Sequence, residues 1–479
     1  MRTRFALATL TLTLAVAPEA SANGMLGHMY TSELAISHVQ TPELKQLLLD
    51  HPDQYLNGSF LPDSGYAAGD GYGEIAHWSG FVQGYLTWIQ QTYSPPYDQG
   101  PAAEHVAVLL GAASHGMADE SFDILLYDRA ALLDGDTNEL DTGTDVWLVN
   151  DRAITYDPPL VIDADALSQV FGNFTNHQVE PQVIVDGMTK AKSAHALVKT
   201  VLAPGHQSFR DKYPWASKAY LNPAVPGSYP YNARVIANYW EQIWRRLNSN
   251  VSVDASLFVG IDPAPDGADA ERYLALDHTS IDGWITLFSG HGLEGSSLDS
   301  NSIQLLDPSG NVVPYTLRVR GDAWAHTIQL KPDADVAPKV TYRVKVTPAA
   351  TTLNGEHLAA DYTAEVKTAC AEGDEASCPE LGLQSAAGAG GEGGGSAGSG
   401  GTAGVGGTAA SGGTAASGGT AAGGSAGSEP SGSADGSGDS SGCTLSPHPQ
   451  TRGTALLGFL LALVIGVSRA GRRRQWNRN

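Results

Sequence analysis

The chain has 479 residues, 42% hydrophobic and 16% charged, and its 28 Lys and Arg against 51 Asp and Glu leave a formal charge of -23. So acidic a surface excludes a general polyanion binder, because phosphate backbones are held by clustered cations, and no specific nucleic-acid partner is expected. The 56 glycines must concentrate in a linker, and the cysteines, Cys370, Cys378 and Cys443, leave no thiol chemistry before residue 370.

Arg2 and Arg4 precede an apolar run from Phe5 to Val16, and Ala20-Ser21-Ala22 follows as a small-residue cleavage site. This layout predicts a signal peptide over residues 1–22, a mature chain starting at Asn23, and secretion. Residues 23–252 read as one mostly α-helical domain. Apolar residues recur at helical spacing in the run opened by Thr41-Pro42-Glu43, from Trp78 to Ile89, from Glu104 to about Leu126, from Gln182 to Leu202 and from Asn232 to Leu247.

Beyond Asp254 the period changes to two. Trp284 to Phe288, Ile303 to Leu306, Tyr315 to Val319, Thr327 to Leu330, Tyr342 to Val346 and Tyr362 to Val366 are short strand runs, so residues 253–370 read as an all-β sandwich. The segment resembles bacterial Ig-like modules in Pro263-Ala264-Pro265-Asp266-Gly267-Ala268, Leu287-Phe288-Ser289 and Tyr342-Arg343-Val344. Such modules space or present a catalytic partner. Cys370 and Cys378 are placed to close a small disulfide loop or to remain free thiols.

Residues 371–442 form a disordered linker of Gly, Ala, Ser and Thr, with GGTAA recurring at Gly406, Gly412 and Gly418. Residues 443–479 are a hydrophobic tail: Gly453 to Val467 is apolar, and Arg469, Arg472, Arg473, Arg474 and Arg478 follow. It reads as a sorting or transmembrane anchor and resembles the C-terminal tails of myxobacterial surface proteins. Membrane tethering at the cell envelope is the expected location.

Chemistry concentrates in the helical domain. His115 and Asp119, in Ala113-Ser114-His115-Gly116-Met117-Ala118-Asp119, are four apart and share one helix face, as a pair of metal ligands requires. Upstream stand Asp63 in Leu61-Pro62-Asp63 and, fourteen residues on, His77 in Ala76-His77-Trp78. Taken singly, these would be a surface pair and a core histidine.

Together, in this order and spacing, they resemble the zinc-dependent phospholipase C superfamily, and most of all the catalytic domains of glycosylphosphatidylinositol-specific phospholipases D; fungal single-strand zinc nucleases share the scheme. The resemblance implies an all-α catalytic domain in which Asp63, His77, His115 and Asp119 hold zinc, with His28 and the Asn23 amine completing a second site. Two or three zinc ions are implied. The chain departs from the pattern at the third site, since no histidine lies between His115 and His177. The groups available there are Asp123, Asp141 and Asp145, and carboxylates favour harder cations, so that site is expected to be vacant or to take Ca2+ or Mg2+. The acidic stretch from Asp134 to Asp145 reads equally well as a solvated loop.

The function implied is a surface-tethered zinc phosphodiesterase that hydrolyses a phospholipid or glycolipid, C-type or D-type, with metal-activated water. Asp63 serves as bridging ligand or general base. Trp78 and Tyr66 flank the ligands. A zinc-dependent single-strand nuclease or nucleotidase is the alternative enzyme, and a catalytically degenerate, zinc-stabilised adhesion module the alternative outside enzymes.

Overall fold

The computed structural model describes residues 24–249, 257–263, 272–320 and 325–371. The expected signal peptide, Asn23, most of the linker, Cys378, Cys443 and the hydrophobic tail lie outside the described residues. The first part is helical: α1 (Met25–His38), α2 (Pro42–Asp50), α3 (Pro52–Ala68), α4 (Tyr72–Ala76), α5 (Ser79–Thr92), α6 (Gly100–Ser121), α7 (Asp128–Leu133), α8 (Leu140–Arg152), α9 (Ala164–Phe174), α10 (Pro181–Leu197), α11 (His206–Lys212), α12 (Ala216–Ala219) and α13 (Tyr229–Asn248). Proline stands in the first turn of α2, α3, α6, α10 and α13, where its missing N–H costs nothing.

The α6 helix is buried on all sides from Val106 to Ser121, which makes it the centre of the helical core. Its closest neighbour is α3. A side chain at Gly58 would place its Cβ 2.2 Å from the Val108 carbonyl, and one at Gly111 would lie 2.1 Å from that of Tyr55, so only this glycine pair lets the two helices meet. Helical periodicity does not reveal α3, because Pro62 inside it removes a backbone hydrogen bond and the glycines obscure its pattern. Only the first half of the acidic stretch is a solvated loop: Gly135 to Glu139 is a largely exposed turn. Residues from Leu140 onward are α8, Asp145 is buried, and Asp134 accepts from Trp215 and Ala216 N–H at the start of α12.

Among the described residues seven strands follow: β1 (Phe258–Asp262), β2 (Ile285–Leu293), β3 (Ile303–Leu306), β4 (Tyr315–Arg320), β5 (Ala325–Pro332), β6 (Thr341–Val346) and β7 (Tyr362–Lys367). They pair antiparallel in two sheets, of order β1-β2-β5-β4 and β3-β6-β7, with Leu287 opposite Ile328 and Leu305 opposite Val344. Inward-facing Leu287, Ile328 and Leu330 of one sheet share an apolar core with Leu305, Val344 and Val366 of the other. Cys370 is disulfide-bonded.

The β portion packs directly on the helices instead of being held apart from them. Val259 and Phe288 belong to the helical core, Asn238 Nδ2 donates to the Val259 carbonyl at 2.9 Å, and Arg129 on α7 pairs with Asp282 at 2.6 Å. Thr327 on β5 donates to Glu120, the neighbour of Asp119, at 2.5 Å. Among the described residues, no helix is long and apolar enough to cross a membrane.

Candidate metal centre

Four elements converge on one polar pocket: α1 brings His28, α3 brings Asp63, the turn after α4 brings His77, and α6 brings His115 and Asp119. His77 Nε2 and His115 Nε2 lie 2.9 Å apart. Asp119 Oδ2 is 3.3 Å from His115 Nε2 and 3.5 Å from His77 Nε2, while its other oxygen is 3.1 Å from His28 Nε2. Asp63 Oδ1 stands 3.7 Å from His115 Nε2 and 3.8 Å from His77 Nε2. The His28 and His115 rings stack with centroids 3.5 Å apart. Two overlapping sets, His28–Asp63–His115 and His77–His115–Asp119, each bring three ligand atoms close enough to share an ion.

The ring orientations decide the chemistry of the pocket. His77 Nδ1 faces the Gly73 carbonyl and His115 Nδ1 the Ser59 carbonyl, each at 2.6 Å. A carbonyl only accepts, so both Nδ1 atoms carry protons and the two Nε2 lone pairs face each other. That arrangement is repulsive unless a proton or a cation sits between them. Metal-bound histidines are oriented by the same Nδ1–H to carbonyl bond, and three imidazoles with two carboxylates form a donor set that suits zinc. The residues present therefore fit the metal.

Burial works against charge here, and the carboxylates work for it. Burial lowers the His115 pKa, but the Asp119 and Asp63 charges outweigh it and raise it to about 9. Burial and the neighbouring His115 hold His77 below its ordinary value. Burial alone would raise Asp119; His28 and His115 instead hold it far below the carboxylate range. Asp63, with a fifth of its side chain exposed, is the most open of the five groups.

At the rim, Tyr66 and Trp78 flank His77, with centroids 5.4 and 6.3 Å from its ring. Sequence reasoning passes over Glu74, which ties both aromatics, accepting from Tyr66 Oη at 2.7 Å and Trp78 Nε1 at 3.0 Å. Its only signal is the i, i+4 spacing to Trp78. The carbonyls of Ser59 and Gly73 leave no residue-type signal at all. Asp123, Asp141 and Asp145 belong to neither set of converging ligands. Asp145 accepts from the backbone of α1, and its pKa is raised to about 8 by burial, with the amides of Gly27 and Leu26 opposing and Asp141 and Asp63 adding. A further convergence, Asp277 with His278 and Asp335, lies exposed on the β portion, where His278 Nδ1 already meets Asp335 at 2.6 Å.

No family model matches the chain. A stretch of 125 residues, 24% of the chain, is 32% identical to phosphatidylinositol-glycan-specific phospholipase D of Bos taurus, and 133 residues, 26% of the chain, are 29% identical to the Rattus norvegicus protein. Part of this chain is phospholipase-related. The similarity spans only 15% and 16% of the length of those relatives. Among solved structures, domains 1-6 of the surface layer protein SbsC align over 68% of this chain and 46% of that one, at 9% identity and a TM-score of 0.19, too low to indicate a shared fold.

Proposed function

We propose that the protein is a zinc-dependent phosphodiesterase that hydrolyses phospholipids or glycolipids, with C-type or D-type cleavage, exported by the leader at residues 1–22 and tethered to the cell envelope by the tail at residues 443–479. The observation that carries this reading is the pair of imidazole Nε2 atoms 2.9 Å apart, each ring fixed by an Nδ1–H bond to a carbonyl, beside the Asp119 and Asp63 carboxylates. The partial likeness to mammalian phospholipases D supports a lipid substrate.

His28, Asp63, His77, His115 and Asp119 would hold the metal, together with the amine of a mature Asn23. Zinc bound there supplies a Lewis acid that lowers the pKa of a coordinated water toward ~7 and offsets charge on a phosphodiester. The chain's own residues do the rest. His28 and His115 are fully buried and stay fixed, while the partly exposed Asp63 carboxylate faces entering water and can take its proton. Tyr66 and Trp78, held by Glu74, stand beside His77 at the edge of the centre. The acidic surface is poorly suited to a long polyanion, which favours lipid over nucleic acid.

Elemental analysis of the secreted protein, with turnover of phosphatidylcholine micelles before and after chelation, tests the proposal. Two or more zinc ions and chelator-sensitive release of phosphorylated product are expected. Cleavage of single-stranded nucleic acid but not of lipid would select the nuclease. Zinc without turnover of any phosphodiester would select the inert surface module.

A further inference from the structure

Helix α1 reaches the centre through its first turn, and that turn has no cap of its own. Gly24 stands at the N-cap without a side chain, so the first N–H groups of the helix need partners from elsewhere. Asp145 supplies them from α8. Its Oδ1 accepts from Gly27 N at 2.9 Å and its Oδ2 from Leu26 N at 3.1 Å, across more than a hundred residues of sequence. Both carboxylate oxygens thus face α1 from a position that is 3% exposed.

The fit around this turn is tight on two sides. A Cβ at Gly24 would lie 2.3 Å from Asp145 Cγ, and one at Gly27 would lie 2.4 Å from Tyr229 Oη on α13. Only Gly-x-x-Gly can enter between α8 and α13. His28 is the next residue, and its own N–H opens the helix by donating to the Gly24 carbonyl at 3.1 Å. Any slip of the turn therefore moves His28 away from Asp119 and from the His115 ring it stacks on.

We propose that Asp145 is a positioning residue that docks the first turn of α1 and thereby places His28 in the metal centre, and is not itself a ligand. The inference rests on the metal-centre reading for its functional consequence, though the docking stands on its own contacts. Of the two convergent sets, His28–Asp63–His115 depends on α1, whereas His77–His115–Asp119 contains no residue from it. Asp145 thus governs one set and leaves the other in place.

The test combines metal titration with hydrogen exchange on the whole protein, comparing Asp145→Asn, Gly24→Ala, His28→Ala and the double variant His28→Ala/Asp145→Asn. An asparagine offers one oxygen where two N–H groups need acceptors. Asp145→Asn is expected to weaken the α1-dependent zinc about 10- to 100-fold, the range for outer-shell partners, and to leave the other bound. In the His28→Ala background the same change should cost nothing more, because its effect passes through His28. A further loss there that persists when an extra residue precedes Asn23, so that the chain-terminal amine is displaced, would make Asp145 a ligand in its own right and overturn the proposal. In metal-free protein, exchange of the α1 amides should speed at least tenfold in both Asp145→Asn and Gly24→Ala; unchanged exchange overturns the docking whether or not zinc binds. Gly24→Ala keeps the carboxylate, so it separates loss of docking from loss of charge should Asp145→Asn fail to fold. A wild-type protein that binds no zinc would refute the metal centre, while the exchange comparison would still decide the role of Asp145.

Discussion

Asp119→Asn is the most informative single change, because this carboxylate touches all three imidazoles at 3.1–3.5 Å and the replacement keeps its shape. In metal-free protein, His115 has its pKa raised from 6.5 to about 9, against burial, chiefly by Asp119 and then by Asp63. A folded pKa above the unfolded one stabilises the protein fully below about pH 6.5 and loses that effect as pH rises through about 9. Lifting the His115 pKa from 6.5 to about 9 corresponds to roughly 3 kcal/mol, and the depressed Asp119 is the same attraction seen from its partner, so it is counted once. Chemical unfolding in chelator at pH 6, 7.5 and 9.5 should therefore show wild type ahead of Asp119→Asn by most of roughly 3 kcal/mol at pH 6, with the gap closing by pH 9.5. With zinc present, the variant should lose at least one metal and all turnover. Asp277→Asn, in the exposed convergence on the β portion, should leave zinc content and turnover as in wild type. A gap that does not change with pH, or full zinc content and turnover in Asp119→Asn, would refute this ligand set.

His195 on α10 should behave in the opposite sense. Burial, then Lys199, lowers its pKa from 6.5 to about 4 despite a hydrogen bond to the Tyr156 carbonyl at 3.1 Å. The unfolded chain binds the proton first, so stability falls as pH drops from about 6.5 to 4, by up to roughly 3 kcal/mol. His195→Gln should flatten that part of the unfolding curve, and a wild-type-minus-variant difference independent of pH in this window would exclude the effect. At the junction of the two portions, Arg129 meets Asp282 at 2.6 Å, and Arg272 meets Asp282 and Asp262, each at 3.4 Å. Arg129→Met leaves the partly buried Asp282 with the longer Arg272 contact and should cost about 1–3 kcal/mol in urea unfolding, much of it recovered in Arg129→Met/Asp282→Asn. A loss below about 1 kcal/mol would show that the pair is solvated.

What a sequence reveals of such a centre depends on whether the relevant contact is local. The i, i+4 step from His115 to Asp119 lies within one helix, so residue spacing alone places both side chains on one face. The alternating runs of the β portion are equally local, and six of its seven described strands follow from them within a residue or two, apart from the extra length of β2; β1 escapes because Gly260 interrupts it and Pro263 ends it. Asp63 and His77 are a different matter. Asp63 meets His115 because α3 lies against α6, a contact permitted by Gly58 and Gly111 and hidden by Pro62, and His77 does so because Gly116 leaves room for its carbonyl, 2.0 Å from where a Cβ would stand; no periodicity registers the absence of side chains. Asp145 is harder still. An aspartate in an acidic stretch looks the same whether it binds a cation, faces water or caps a helix more than a hundred residues away; only the positions of Leu26 N and Gly27 N distinguish these fates. The residues whose chemistry is their own side chain could thus be named in advance, while those that act by fitting another element, Gly24, Gly58, Gly111, Glu74 and Asp145, emerge only once the elements are packed. Because these fitted residues fix where His28, Asp63 and His77 stand, substitutions among them should alter metal occupancy as strongly as substitutions of outer-shell histidine partners do, without removing a single ligand atom.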